Sequence, residues 1–271
     1  MKTTKRLVGA ALVALSLLTA SASAQAGSLP TLKGYTVATS ATVTGYAGGY
    51  TRGEATCPTG TVPLAGGVEF ESFDLGFDIL DSFPSGDSWV VDVRNGLAGV
   101  TIDTYAMCAQ APRSYQVVTS GWYGYDQYDQ TDGFVACPTG TKALGGGAQT
   151  VGSTDVYLGQ SSPSSTGGSW GVSVVNLWGS DSFQVYAVCA KPLPGYSVVT
   201  APPVVVRAGK LGQASVTCLP ELMPVGGGIG FGWSEPDFGL HSTQPAGKSW
   251  YTSVNNLSDL DLEIQAMVVC E

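Results

Sequence analysis

The sequence has few positive charges. Its 271 residues include 12 Lys and Arg against 21 Asp and Glu, and charged residues of either sign make up 12% of the chain. Proteins that bind nucleic acid carry clustered basic residues that neutralise phosphates, and binding to anionic lipid draws on the same charge. The composition therefore predicts that neither nucleic acid nor an anionic membrane surface is a partner.

Histidine is almost absent too. The single His241 lies near Asp237 and Ser242, but a lone His beside an Asp is far more often a solvent-facing loop residue than half of a catalytic triad. Close Cys/His clusters that could hold zinc and phosphate-cradling loops are missing from the sequence. We therefore expect no catalytic residue, no metal ligand, no cofactor and no enzymatic activity. The enzymatic alternative is glycoside hydrolysis, which needs a cleft with two carboxylates about 5–10 Å apart.

The one long apolar run lies at the start of the sequence. Lys2, Lys5 and Arg6 precede the uncharged segment from Leu7 to Leu18, and small residues with A-x-A cleavage sites follow it. This arrangement is typical of a secretory signal peptide, and the run is shorter than the roughly 20 residues that span a bilayer. We predict a signal peptide at 1–26 and a secreted chain, extracellular or periplasmic, without membrane insertion. The alternative is an uncleaved N-terminal anchor. Removal of the signal leaves nine Lys and Arg against 21 Asp and Glu, a net charge of −12.

After the predicted signal peptide, a unit of about 80 residues occurs three times. The first cysteine of each copy follows the previous one by 80 and 81 residues, and the second by 81 and 81. Six cysteines allow fifteen pairings, but duplication favours pairing within each copy, because each unit must have folded with its own pair. The predicted disulfides are Cys57–Cys108, Cys137–Cys189 and Cys218–Cys270. Closing a loop near 50 residues contributes about 4 kcal/mol in the chain-entropy model.

Other landmarks recur in register in the three copies. Each copy has an opening Tyr, a glycine pair, a Trp, and an Asn six residues after the Trp. They are Tyr35, Tyr115 and Tyr196; Gly66-Gly67, Gly146-Gly147 and Gly227-Gly228; Trp89, Trp170 and Trp250; and Asn95, Asn176 and Asn256. We interpret the tryptophans as core anchors near each disulfide, the asparagines as turn residues, and the glycine pairs as turns or bulges.

Period-two alternation of Val, Tyr and Thr, interrupted by turn residues every eight to twelve positions, predicts an all-β fold. We expect three tandem disulfide-closed antiparallel β-sandwich repeats of about six to seven strands each, at 27–111, 112–192 and 193–271. Two arrangements fit, either three beads in a row or three units packed round a pseudo-threefold axis. The short, proline-stiffened joins favour the second.

The order of these landmarks resembles a largely uncharacterised repeat of secreted bacterial proteins and some phage tail proteins. The landmarks are Cys-Pro-x-Gly, Gly-Gly, Ser-x-Pro, Trp, Asn and Val-Tyr-Ala-x-Cys. Copy three departs from it with Cys218-Leu219-Pro220-Glu221. The repeat length, the late Trp and the closing strand are also similar to H-type lectins, which are small six-stranded sandwiches that assemble as trimers and bind sugars. This second resemblance implies carbohydrate binding, without assigning a site residue.

The copies differ most where aromatic residues alternate with acids and amides. Sugars offer C–H faces that stack on aromatic rings and hydroxyls that bond to carboxylates and amides. The candidate ligand-binding residues are Trp122, Tyr123, Tyr125, Asp126, Tyr128 and Asp129 in copy two and Trp233 and Asp237 in copy three. The alternative is that these aromatics are inward-facing strand residues, which we favour for copies one and three. Carboxylates together with backbone carbonyls also suit Ca²⁺.

These observations lead to the hypothesis of a secreted, non-enzymatic binding protein that recognises a glycan or cell-surface ligand through repeated weak sites, whose linkage raises their effective affinity. The alternative is a structural or protein-interaction module, such as a coat, an adhesin or a complex subunit, that uses its strand edges or its aromatic patch.

Overall fold

A computed structural model describes residues 32–72, 75–96, 99–151, 156–231 and 238–271. The predicted signal peptide and the candidate residues Trp233 and Asp237 lie outside these ranges. Within them the regular secondary structure consists of β-strands, which confirms the predicted all-β class. No helix in the described residues is long and apolar enough to cross a bilayer.

Twenty strands follow one another along the chain. Copy one contains β1 (Thr36–Thr39), β2 (Val43–Gly45), β3 (Tyr50–Thr56), β4 (Val62–Phe70), β5 (Asp78–Ser85), β6 (Ser88–Arg94) and β7 (Val100–Ala109). Copy two contains β8 (Gln116–Tyr125), β9 (Asp129–Ala136), β10 (Lys142–Val151), β11 (Val156–Pro163), β12 (Ser169–Asn176) and β13 (Asp181–Ala190). Copy three contains β14 (Ser197–Thr200), β15 (Val204–Val206), β16 (Lys210–Thr217), β17 (Pro224–Phe231), β18 (Phe238–Ala246), β19 (Ser249–Asn256) and β20 (Leu262–Cys270).

Each copy contributes two antiparallel groups of strands that are joined by its disulfide, with three strands in each group and an additional short strand, β2 or β15, in one group of copies one and three. In copy two these groups are β8-β13-β10 and β9-β12-β11. The bonds Cys57–Cys108, Cys137–Cys189 and Cys218–Cys270 have Cα–Cα distances of 5.6, 5.7 and 5.8 Å, so all three predicted pairings are confirmed. Edge strands such as β3 alternate strictly between exposed and buried residues, whereas β4, in mid-sheet, is buried on both faces.

The sheets are not confined to single copies. Each of the three sheets joins half of one copy to half of another, in the orders β1-β7-β4-β18-β19-β16, β3-β6-β5-β10-β13-β8 and β14-β20-β17-β11-β12-β9. The joining pairs are Val68 with Thr243, Ala148 with Ser82, and Ile229 with Ser161. Every copy therefore pairs with both others, which is the packed, pseudo-threefold arrangement. We call the three sheets by the copies they join: the 1–3, 1–2 and 2–3 sheets.

The three copies meet at a point of close approach between their chains. A Cβ built on Gly145 would lie 2.5 Å from the Ala65 Cβ, and one built on Gly226 would lie 2.8 Å from the same atom. Leu64, Leu144 and Val225, the residues just before these three, have no exposed surface. The junction of the copies thus has room for one methyl group, which copy one supplies.

The glycine pairs lie inside strands β4, β10 and β17 rather than in turns, one residue beyond a register shift in each strand. A Cβ on the first glycine would collide with the indole of the same copy, for example 2.4 Å from Cγ of Trp170 at Gly146. A Cβ on the second would collide with a neighbouring copy's backbone, for example 1.9 Å from the Ser82 carbonyl oxygen at Gly147. The glycines are therefore required by close packing within and between copies.

The recurring tryptophans are buried as predicted, and their indole N–H groups mark the joining strands. The Nε1 atoms of Trp89, Trp170 and Trp250 donate to the hydroxyls of Ser82, Ser161 and Thr243 at 2.9, 2.9 and 2.8 Å. These three hydroxyl residues are the same ones that pair with the next copy. A single hydrogen bond thus gives each buried indole N–H a partner. The residue that accepts this hydrogen bond lies on the strand that pairs with the neighbouring copy.

The opening tyrosines link the copies in a cycle. The Tyr35 hydroxyl donates to the Pro224 carbonyl at 2.6 Å, and the hydroxyls of Tyr115 and Tyr196 donate to the carbonyls of Pro63 and Ala143. Burial raises the pKa of each phenol, that of Tyr115 to about 12. Because the phenols stay protonated, each remains a hydrogen-bond donor to the neighbouring copy over the ordinary pH range.

Candidate ligand-binding surface

The predicted residues of copy two lie along β8, in the β8–β9 turn and at the start of β9. These strands are the edge strands of two different sheets. Trp122 is 54% exposed and Tyr128 is 61% exposed, and Asp126 and Asp129 are exposed beside Tyr128. Four of the six predicted residues therefore face solvent.

Tyr125 does not belong to this surface. It is 3% exposed, its hydroxyl donates to the Val151 carbonyl at 3.1 Å, and its ring stacks on Phe183. Burial, followed by the nearby charges of Asp181 and Asp81, raises its pKa to about 12. The alternation of β8 points this side chain inward, so its placement among the ligand-binding residues is wrong.

Tyr123 is half-buried and joins the two edge strands. Its ring stacks on Phe183 with 5.3 Å between centroids. Its hydroxyl donates to the Phe134 carbonyl at 2.9 Å and lies 3.3 Å from the Phe134 amide nitrogen. Tyr123 thus closes the gap between β8 and β9, a structural role that the sequence pattern did not indicate.

The repeated asparagine of copy two brings two turns together. The buried Asn176 donates from Nδ2 to the carbonyls of Asp126 and Gly179 at 2.8 and 2.6 Å. Its Oδ1 accepts the backbone N–H of Trp178 at 3.2 Å. The equivalent Asn95 and Asn256 also donate to turn carbonyls, which confirms the predicted role of this position.

The turns held by Asn176 carry an exposed pair of aromatic rings. Tyr128 and Trp178 meet edge to face, with 5.3 Å between centroids and an interplanar angle of 62°, and Trp178 is 56% exposed. We call residues 126–129 and 177–179 the copy-two tip. Sequence reasoning missed Trp178, although its position two residues after the recurring Asn176 was an available signal.

Tyr128 occupies a backbone conformation that its side chain disfavours. Its φ is +58°, and the equivalent positions are Gly48 in copy one and Gly209 in copy three, at +67° and +62°. A bulky non-glycine residue in the left-handed region is uncommon and costs on the order of 1–2 kcal/mol. Copy two therefore keeps an exposed aromatic ring where the fold favours glycine.

The tips of the other copies differ from this one. Copy one exposes Tyr46, which lies over Gly49, and Tyr50 at the start of β3. In copy three the exposed Arg207 takes the place of Asp126, and the carbonyl of the preceding residue, Val206, accepts from Asn256. The acidic aromatic combination is thus specific to copy two among the described residues.

The alternative expectation for copies one and three, that their aromatics are core residues, is confirmed where the structure describes them. Phe70, Phe77 and Phe238 are buried. His241 is buried in β18 rather than in an exposed loop, so that prediction is wrong. Its ring lies 4.5 Å from that of Phe70, and its Nδ1 lies 3.0 Å from the hydroxyls of Ser242 and Ser253.

Two further observations bear on the class of protein. Within the described ranges, no group of three or more His, Cys, Asp or Glu residues is arranged to hold a metal ion. No protein-family model matches the chain, and no curated protein is similar enough to indicate a relationship.

Proposed function

We propose that the protein is a secreted, non-enzymatic binding protein that recognises carbohydrate, with its dominant site at the copy-two tip. The observation that carries the proposal is the left-handed Tyr128, an exposed ring held at a backbone position where the two other copies have glycine. Strained backbone conformations of this kind cluster at functional sites.

The chemistry of the tip suits a sugar. The edge-to-face pair of Tyr128 and Trp178 presents aromatic surface to solvent, against which the C–H face of a pyranose packs. Asp126 and Asp129 are exposed in the same turn, and their carboxylates accept hydrogen bonds from hydroxyls. Asn176 fixes both turns before any ligand arrives, which reduces the ordering cost of binding.

Secretion fits the covalent structure. Three disulfides are typical of proteins that fold in oxidising compartments outside the cytoplasm, and the N-terminal pattern of the sequence is that of an export signal. An extracellular location would give the tip access to cell-surface or matrix glycans.

A second candidate function is protein interaction through the sheet edges. Phe134 lies on the edge strand β9 and is 63% exposed, and unpaired edge strands are templates for strand addition by a partner. This function would use the part of β9 around Phe134, away from the copy-two tip.

A glycan array with the mature chain and two variants separates the candidates. We expect Trp178→Ala to lose at least about tenfold in affinity, a loss of roughly 1.4 kcal/mol, and Phe134→Ala, the matched control, to bind like the unmodified protein. Both residues are exposed aromatics of the same copy, so both variants should fold. Retention on no glycan, or equal binding by Trp178→Ala, would contradict the proposal.

A further inference from the structure

A cavity of 320 Å³ opens on the outer face of the 1–3 sheet, where copies one and three join. Its lining includes Glu69 of β4, Gln213 of β16, Ser242 and Gln244 of β18, and Tyr251 of β19. We infer that this cavity is a second binding site, which takes an uncharged polyhydroxylated ligand the size of one sugar ring. The inference does not rest on the copy-two tip, because none of these residues belongs to the tip.

Gln244 supplies the main reason. The residue is 8% exposed, and its Oε1 has no hydrogen-bond partner among the described residues. A buried amide oxygen without a partner costs free energy, and such atoms in native proteins call for an explanation. Gln244 lines the cavity, so a ligand hydroxyl that donates to this oxygen once the amide turns towards the cavity provides one.

The other polar groups narrow the class of ligand. Glu69 accepts the Tyr105 hydroxyl at 2.8 Å through Oε2, which leaves its other carboxylate oxygen available as an acceptor. Amide groups of Gln213 and Gln244 offer both donors and acceptors. Sugar hydroxyls both donate and accept, whereas an ammonium group only donates and would leave the amide N–H groups without partners.

Charge and shape favour a neutral ligand with an apolar face. Glu69 is the one charged residue in the lining, and no Lys or Arg contributes to it, so an anion would be repelled. The Tyr251 ring forms part of the wall and suits stacking by a C–H face. The cavity is large enough for a small ligand.

On the 1–2 sheet, apolar side chains fill the position that is equivalent to this cavity. Register puts Phe83 at the position of Gln244 and Val90 at the position of Tyr251. The Phe83 ring packs against Tyr186 with 5.4 Å between centroids. The same sheet position therefore holds an apolar contact at one junction and a polar cavity at another.

An NMR titration of the ¹⁵N-labelled mature chain tests the site. Glucose, galactose, mannose and N-acetylglucosamine are added separately, with ethylammonium chloride and sodium acetate as charged probes, up to about 50 mM because single-sugar sites are weak. We expect at least one sugar to shift the side-chain amide resonances of Gln213 and Gln244 saturably. No shift with any sugar, or a saturable shift with ethylammonium or acetate alone, overturns the inference.

Variants locate the effect. Gln244→Phe, which introduces the residue found at the equivalent position, should weaken binding at least tenfold, and so should Gln244→Met, which serves if the larger side chain does not fold. The matched control Gln149→Ala changes the 1–2 sheet residue equivalent to Glu69 and should leave the titration unchanged. Unaltered binding by both Gln244 variants overturns the inference.

Two further measurements, of the Tm and of a copy-two tip variant, test the role of Gln244 and the independence of the cavity from the copy-two tip. Gln244→Met should raise the Tm of the ligand-free protein, because it removes the unpartnered amide, and a lowered Tm overturns that part of the argument. Trp178→Ala should retain the sugar shifts at Gln213 and Gln244 even where it loses glycan-array binding. Loss of both together would mean that the cavity is not a separate site.

Discussion

The three copies have similar residues at the junctions between copies and different residues at their tips. At the junctions all three copies have the same chemistry: a glycine that admits the indole, a glycine that admits a neighbour's carbonyl, and a hydroxyl that accepts the indole N–H. At the tips the asparagine is shared, but the side chains around it range from Tyr128 to Gly209. A position packed by another copy tolerates little change, whereas a position facing solvent is free to acquire a ligand.

Substitution of a glycine at a junction between copies should cause the largest loss in the free energy of unfolding. Gly147→Val places side-chain atoms where the Cβ alone would lie 1.9 Å from the Ser82 carbonyl oxygen, and relief requires the two copies to separate. We expect a loss of more than about 4 kcal/mol in the free energy of unfolding, measured by denaturant titration.

Gly121→Ala is the control for this variant, because a Cβ there meets nothing within 4 Å; it should change stability by less than about 0.5 kcal/mol. A folded Gly147→Val protein with near-normal stability would show that the junctions are looser than the contacts indicate.

Removal of a disulfide should cause the second-largest loss in the free energy of unfolding, and the loss should be the same in all three copies. Replacing Cys137 and Cys189 by Ala opens a loop with a separation of 52 residues, for which we expect a loss of about 2–5 kcal/mol. The same double substitution at Cys218 and Cys270 is the matched comparison. A difference of more than about 2 kcal/mol between the two variants would break the equivalence of the copies.

At one of the three junctions, that of copies one and two, a buried carboxyl should make stability depend on pH. Burial, opposed by two hydrogen bonds from Thr150 and assisted by Asp92, raises the pKa of Asp81 from 3.8 to about 7. Because the folded pKa lies above the unfolded one, this stabilisation is complete below the unfolded pKa and is lost as pH rises through the folded pKa. Asp81→Asn should therefore flatten the decline in unfolding free energy between pH 4 and pH 8, by on the order of 1–2 kcal/mol.

The equivalent residues at the other junctions are Ser242 and Gln160, which do not titrate in this range. Glu271, whose pKa burial raises to about 7, should account for a further part of the same decline, which Glu271→Gln removes. An unchanged pH profile in Asp81→Asn would show that its carboxyl titrates normally in the folded protein.

Glycine substitutions at the two strained backbone positions should have the smallest effect on stability. They test whether the strain is linked to ligand binding. Ser114, like Tyr128, has a positive φ where the other copies have glycine, here Gly34 and Gly195. Ser114→Gly should raise the free energy of unfolding by up to about 1 kcal/mol and leave glycan binding intact.

Tyr128→Gly relieves the same strain but loses the contact with Trp178, which is worth about 0.5–1.5 kcal/mol. Its stability should therefore change little while glycan binding is lost. If Tyr128→Gly instead binds glycan normally, the strain at this position has no functional meaning.

Much of the fold could be predicted from the sequence, but less of the site. The disulfide pairing, the strand class, the buried tryptophans and the turn asparagines depend on spacing and alternation, which the chain shows directly. Trp122, Asp126, Tyr128 and Asp129 are exposed as the candidate surface requires, whereas Tyr125 is not. Its inward direction depends on a register shift between β8 and β13, which local pattern does not reveal.

The sequence by itself determined the repeat, its covalent closure and its all-β character, because duplication and period-two alternation are properties of neighbouring residues. Only the tertiary structure decided that each sheet joins two copies, that the glycine pairs admit an indole and a foreign strand, and that Tyr128 meets Trp178. These contacts join residues about 20 to 180 positions apart. They are decided by how strand edges and turns fit together in space, and no local pattern encodes that fit.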